Sequence, residues 1–87
     1  MPTITPVHVP AGILFDPWLR DVEVRVWGAY RSQANTDLET DVTCGEIGEL
    51  LGINRRTVSR ALTGLEKGGY IKRLKDGARP KRRLVEP

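Results

Sequence analysis

Cysteine and histidine are almost missing from this 87-residue sequence, which holds one of each, Cys44 and His8. A lone cysteine cannot form an intramolecular disulfide, and a lone histidine leaves no zinc-ligating set. A metal-free fold without cofactors, in the reducing cytoplasm, is therefore expected. The same shortage removes the material of catalysis. His8 lies in a proline-rich stretch, Cys44 has no sequence partner of the kind that activates a thiolate, and nothing resembles a phosphate loop or a catalytic dyad. No enzyme is expected, and Cys44 reads as a small half-buried filler in the first turn of a helix. Long apolar runs are missing too. The longest, Ala11 to Phe15, is far shorter than a bilayer span, and the opening MPTITPVHVP has neither a basic n-region nor a continuous apolar h-region. Neither a membrane segment nor a secretion signal is expected. What remains, at 39% hydrophobic and 29% charged, suits a single small globular domain.

Basic residues are scarce in only one half of the chain. Residues 1–42 carry three arginines (Arg20, Arg25, Arg31) against six carboxylates, a net charge of −3. Residues 43–87 carry eleven Lys and Arg against five carboxylates, a net +6. A localised positive field gathers polyanions, and nucleic acid is the first one to consider for a small cytoplasmic chain.

Four of the six prolines fall in residues 1–17, which predicts an extended arm or short edge strand there, with Val7 to Val9 available for pairing. Leu19, Val22, Val26 and Tyr30 recur at helical spacing, with Asp21 as the expected cap. Asn35 to Asp41 reads as a loop. Thr43 and Glu46 form a capping-box pattern opening a short helix whose apolar face is Ile47, Leu50 and Leu51, and Gly52 follows as its left-handed stop. After Ile53, Asn54 caps a second helix with Val58, Ala61, Leu62 and Leu65 as the buried stripe, ending at Gly68-Gly69. Two short helices joined by a tight glycine-containing turn make a helix-turn-helix.

The outward positions of the second helix are Arg55, Arg56, Thr57, Ser59, Arg60 and Thr63, crowded toward its N-terminal end. Arginine reads guanine edges or grips phosphates, and short hydroxyls permit close approach. Beyond the glycines, Tyr70, Ile71 and Leu74 interleave with Lys72 and Arg73. Asp76-Gly77 marks a turn, and Lys81 to Val85 is the expected return strand. Lys72, Arg73, Lys75, Arg79, Lys81, Arg82 and Arg83 place seven cations on this hairpin, more than protection of a sheet edge requires. It reads as a wing lying on a phosphate backbone. Thr43 and Asn54, at the two helix starts, complete the expected contact set.

The string TCGEIGELLGINRRTVSRALTGLEKGGYIKR resembles the winged helix-turn-helix domains of bacterial, phage and plasmid regulators and replication proteins. RRTVSRAL and LEKGGYI are its most specific parts. The upstream VPAGILFDPWLRDVEVRVWGAY is similar to the strand and first helix before that motif in replication initiators. The resemblance covers residues 7 to 74. It implies an α+β, mainly α fold of three helices plus a basic two-stranded wing, with the motif at 43–67, the wing at 70–85 and the domain at 18–87. It also implies a core of Leu19, Val22, Val26, Ile47, Leu50, Val58, Leu62 and Leu65, closed by Ile71. Those initiators continue into further domains, whereas this sequence ends at Pro87, which favours a small stand-alone DNA-binding protein or regulator.

The expected function is double-stranded DNA binding by a small transcriptional or replication regulator of plasmid or phage type, nucleoid-associated when bound. A homodimer on a palindrome is the expected working unit. Trp18, Trp27 and the N-terminal arm are its candidate contacts, although core packing is the commoner place for an indole such as Trp27. The alternative is a winged helix that docks on an acidic protein partner, such as a polymerase or replisome subunit. Against it stand the arginines and short hydroxyls where a docking surface would show aromatic or methionine anchors. Recognition of RNA by stacking is disfavoured because Tyr70 is the only aromatic at the wing.

Overall fold

Side chains that reach back to free backbone groups set where the helices begin. The computed structural model describes residues 8–86. Helix α2 (Asp21–Ser32) opens one residue earlier than a cap at Asp21 would place it. Arg20 is the N-cap, and the buried Glu23 accepts its backbone N–H at 2.9 Å and its Nε at 3.2 Å. Glutamate at the third helical position reaches the cap amide, which leaves Asp21 exposed in the first turn without that task. Helix α3 (Cys44–Leu51) has the full reciprocal box: Thr43 Oγ1 accepts from Glu46 N–H at 3.2 Å, and Glu46 Oε1 accepts from Thr43 N–H at 3.0 Å. Helix α4 (Arg55–Lys67) starts where Asn54 Oδ1 accepts Arg56 N–H at 2.7 Å.

Gly52, with φ of 70°, stops α3 in the left-handed region, and Ile53 N–H then donates to Gly48 O at 2.9 Å. A β-carbon on Gly48 would stand 2.8 Å from that same Ile53 carbonyl oxygen, so glycine is what lets the turn fold back on α3. Helices α2, α3 and α4 pack on one another. Val26, Trp27, Tyr30, Ile47, Val58, Ala61, Leu62 and Leu65 are buried between them, while Leu19, Val22, Leu50 and Leu51 pack partly buried at the margin. The α4 stripe is the one its periodicity predicts. Trp27 is core, and its indole N–H donates to Tyr70 O at 3.2 Å. Cys44 is half-buried, with Sγ 3.6 Å from the Tyr30 hydroxyl. Burial pushes that hydroxyl's pKa well above the ordinary tyrosine value.

Strands β2 (Ile71–Lys75) and β3 (Lys81–Leu84) form the antiparallel hairpin, with a bulge between Arg73 and Lys75. Ile71 and Leu84 are paired across it, and both turn inward to close the core. Residues 35–41 are not loop throughout. Glu39–Thr40 forms a strand, β1, pairing antiparallel with β3 (Glu39↔Arg83, Thr40↔Arg82) in a sheet ordered β1-β3-β2. A two-residue strand has no alternation to detect, and its partner lies some forty residues downstream.

The N-terminal segment also departs from the extended arm. Ala11–Leu14 forms a helical turn, α1, because its prolines flank those four residues without interrupting them, and Ile13 is fully buried in the core. The Tyr70 hydroxyl donates to the Asp16 carboxylate and ties the segment down. That bond, with the Trp18 amide, holds the Asp16 pKa below its ordinary value. Val9 packs against the core, whereas the pairing expected from Val7 lies outside the described residues. Leu14, Phe15 and Trp18 are left exposed, Trp18 at 90%. No helix among the described residues is long and apolar enough to cross a membrane.

Candidate nucleic-acid interface

Helix α4 buries one stripe and leaves the opposite face open. Arg55, Arg56, Ser59, Arg60 and Thr63 are exposed, and Thr57 is half-buried. Among the described residues, none of these arginines is in an ion pair. Asn54 and Thr43 spend their side-chain oxygens on the helix caps. These bonds fix the first turns of α4 and α3, from which the other groups project. Thr63 Oγ1 donates to Ser59 O at 3.2 Å, one turn back along the helix.

The wing cations are arranged differently. Arg83 Nη2 meets Glu39 Oε2 at 2.6 Å, and Lys81 Nζ meets Glu39 Oε1 at 3.2 Å. Arg79 Nη1 lies 2.8 Å from Glu46, and Arg73 bridges Glu66 at 3.3 Å and Asp76 at 3.2 Å. The bonds from Arg83 and Lys81 lower the Glu39 pKa, and those from the Thr43 amide and Arg79 lower that of Glu46. The same contacts raise the pKa of Arg79 through Glu46 and that of Arg73 through Glu66. Lys72 and Lys75 are exposed and in no ion pair among the described residues.

Arg82 is the exception on the wing. The alternation of β3 turns it inward beside Leu84, 7% exposed, with its guanidinium carbon 5.7 Å from the centre of the Tyr30 ring. Its Nε and Nη1 are buried without a hydrogen-bond partner. Seven cations on a hairpin therefore resolve into four paired with carboxylates, two free and one buried.

The wing cations are legible in the sequence, whereas most of the acids that hold them are not. Glu39, Glu66 and Asp76 carry no local signal of that role, whereas Glu46 is visible through its capping box. Among the described residues, no group of three or more His, Cys, Asp or Glu is placed to hold a metal.

A three-helix core in which α3 and α4 meet through a glycine turn, followed by a hairpin packed on α4, defines a winged helix-turn-helix. Residues 18–83 match the family model of the Crp-like helix-turn-helix domain. The chain belongs to that family and is a DNA-binding domain. No curated protein matches it, and no solved structure does.

Proposed function

We propose that this chain recognises specific duplex DNA sequences as a transcriptional or replication regulator, with the start of α4 in the major groove and the wing on the backbone. The observation that carries this reading is the face of α4, where three arginines and the Ser59 hydroxyl stand exposed and free of carboxylate partners. Arg55, Arg56, Ser59 and Arg60 read base edges or the phosphates beside them. Thr57, Thr63, Lys72 and Lys75 grip the backbone, and the paired Arg73, Arg79, Lys81 and Arg83 join when phosphates displace their carboxylates.

One such domain covers a short site, so two copies on a palindrome are the working unit. The exposed Phe15 and Trp18 are the side chains available for contact between copies. A monomer by sedimentation equilibrium, both free and on DNA, would remove that element alone.

The deciding experiment is selection from random duplexes across a salt series, with sequencing of the bound fraction. An enriched motif establishes specific recognition, and its symmetry reports the number of copies. Salt-sensitive binding without enrichment would leave DNA binding and remove sequence-specific regulation. Absence of binding at low salt would defeat the proposal in favour of docking on an acidic protein.

A further inference from the structure

The most deeply placed cation of the interface, Arg82, keeps two buried N–H groups without a hydrogen-bond partner. A guanidinium carries five N–H donors and a permanent charge, and taking it out of water without acceptors is costly. The ring of Tyr30 compensates Arg82 in part. It supplies no acceptor for Nε and Nη1, which stay buried and unbonded.

The surroundings of Arg82 explain what is missing. It lines a cleft of about 390 Å³ between the first turns of α3 and α4 and the wing loop 77–80. Thr43, Cys44, Gly45, Arg55 and Ser59 supply the walls. Helix geometry leaves the amides of Cys44 and Gly45 without intrahelical acceptors, and the positive end of α3 adds to their field. Arg55 brings a second guanidinium whose stem runs beside Gly45, where a β-carbon would sit 3.8 Å from Arg55 Cδ. Ser59 adds a hydroxyl. The neighbouring carboxylate, Glu46, is already held by the Thr43 amide and by Arg79. The lining thus brings two guanidiniums, a hydroxyl and the free α3 amides together with no carboxylate among its residues, and the tetrahedral, multiply accepting oxygens of a phosphate group are what such donors satisfy.

We propose that this cleft is a socket for a single phosphate group, with Arg82 as its buried anchor and the α3 amides, Arg55 and Ser59 around it. The proposal rests on the DNA-binding reading above, and the occupant is a backbone phosphate of the duplex that α4 enters. Arg82 then differs in kind from the other wing cations. They meet a backbone from the surface, whereas Arg82 fixes one phosphate and with it the register of the domain on the helix.

The test follows the Arg82 Nε–H resonance of the full chain by nitrogen-15 NMR, adding inorganic phosphate, then chloride at equal ionic strength, then duplex. In parallel, binding of wild type and Arg82→Met to the same duplex is measured across salt. The expected result is a saturable shift with phosphate and with duplex but not with chloride, and a log–log salt slope smaller by about one in the variant. An Arg82 resonance indifferent to phosphate and duplex alike overturns the socket, and that readout stands even if Arg82→Met does not fold. A shift with phosphate, joined to an unchanged slope in a folded Arg82→Met, overturns the duplex as the source and leaves free phosphate as the occupant. Should wild type bind no duplex, the DNA-binding reading fails by itself, and the response to inorganic phosphate alone keeps or ends the socket.

Discussion

Along the first turns of α4, Arg55, Arg56 and Arg60 stand exposed with no carboxylate beside them, whereas on the wing Arg73, Arg79, Lys81 and Arg83 each face an acid. The two surfaces are both basic by composition, yet their charge is available to different degrees. An unpaired arginine on a capped helix exchanges only water for a base edge or a phosphate. A wing arginine must first leave its glutamate, and the carboxylate it abandons then repels the incoming backbone. The cations of these pairs are exposed while their acids are half-buried, so each pair is solvent-screened on its cationic side and a phosphate can reach and displace it. They hold the side chains extended and lower the net field of the wing until that happens. In the proposed reading the helix is accordingly the surface where affinity and discrimination concentrate, and the wing is an adjustable support.

The sharpest way to break this contrast is to remove charge from each side in turn. Arg56→Ala or Arg60→Ala, where the side chain reads a base, is expected to cost about 1–3 kcal/mol in binding the selected site and to relax preference at one base pair. Arg83→Ala is expected to weaken all sequences alike and by less, because in the wild type the contact of Arg83 with the backbone is offset by breaking its pair with Glu39. Fluorescence titration of both variants on matched and mismatched duplexes checks the order. A larger loss for Arg83→Ala than for either helix variant would reverse the assignment of surfaces.

The helix side also depends on its cap. Asn54→Ala removes the oxygen that accepts Arg56 N–H and frays the turn presenting Arg55 and Arg56. A loss of about 1 kcal/mol in urea unfolding is expected, with the slope of the transition unchanged. Ser in the same position should restore most of it.

These contrasts were unevenly legible in the sequence. The capping box at Thr43 and Glu46, the stop at Gly52, the cap at Asn54 and the stripe from Val58 to Leu65 all depend on neighbours within one or two turns, so residue order carries them. Strand β1 was invisible because its partner, β3, is distant in the chain and two residues show no period. The helical turn at Ala11–Leu14 was hidden by the prolines on either side of it, and Ile13 is buried by tertiary contacts that no local pattern records. On α4, the open face followed directly from the stripe on its other side. On the wing, composition counted seven cations but could not see Glu39, Glu46 and Glu66 arrive from three other places in the chain. Nor could it see that the β3 alternation turns Arg82 inward.

The wing can be sharpened in the opposite sense by removing its acids. Glu39→Gln keeps the shape of the side chain and frees Lys81 and Arg83 together. Binding is expected to tighten, and the log–log salt slope to steepen by about one to two as the freed cations each release a counterion. The α4 arginines have no corresponding change, since among the described residues no carboxylate pairs with Arg55, Arg56 or Arg60. An unchanged slope in Glu39→Gln would mean that the wing lies off the backbone.

The smallest expected effect is on stability against pH, and of the two surfaces it touches the acids that pair with the wing. Glu39 and Glu46 have pKa values below the ordinary glutamate value because Arg83 and Lys81 bond to the first, and the Thr43 amide and Arg79 to the second. A carboxylate whose folded pKa is depressed binds fewer protons folded than unfolded. Its contribution is therefore present above the unfolded value, about 4.3, and is lost as pH falls through the lower folded value. Both carboxylates are half-buried but their cationic partners are exposed, so the loss is modest and salt weakens it further. Urea midpoints measured downward from neutral pH should stay level until the ordinary glutamate range and then decline. The double variant Glu39→Gln, Glu46→Gln should start lower and decline less. An equal decline in that variant would place the acid sensitivity in Asp16, whose lowered pKa through Tyr70 and the Trp18 amide ties down the N-terminal segment instead.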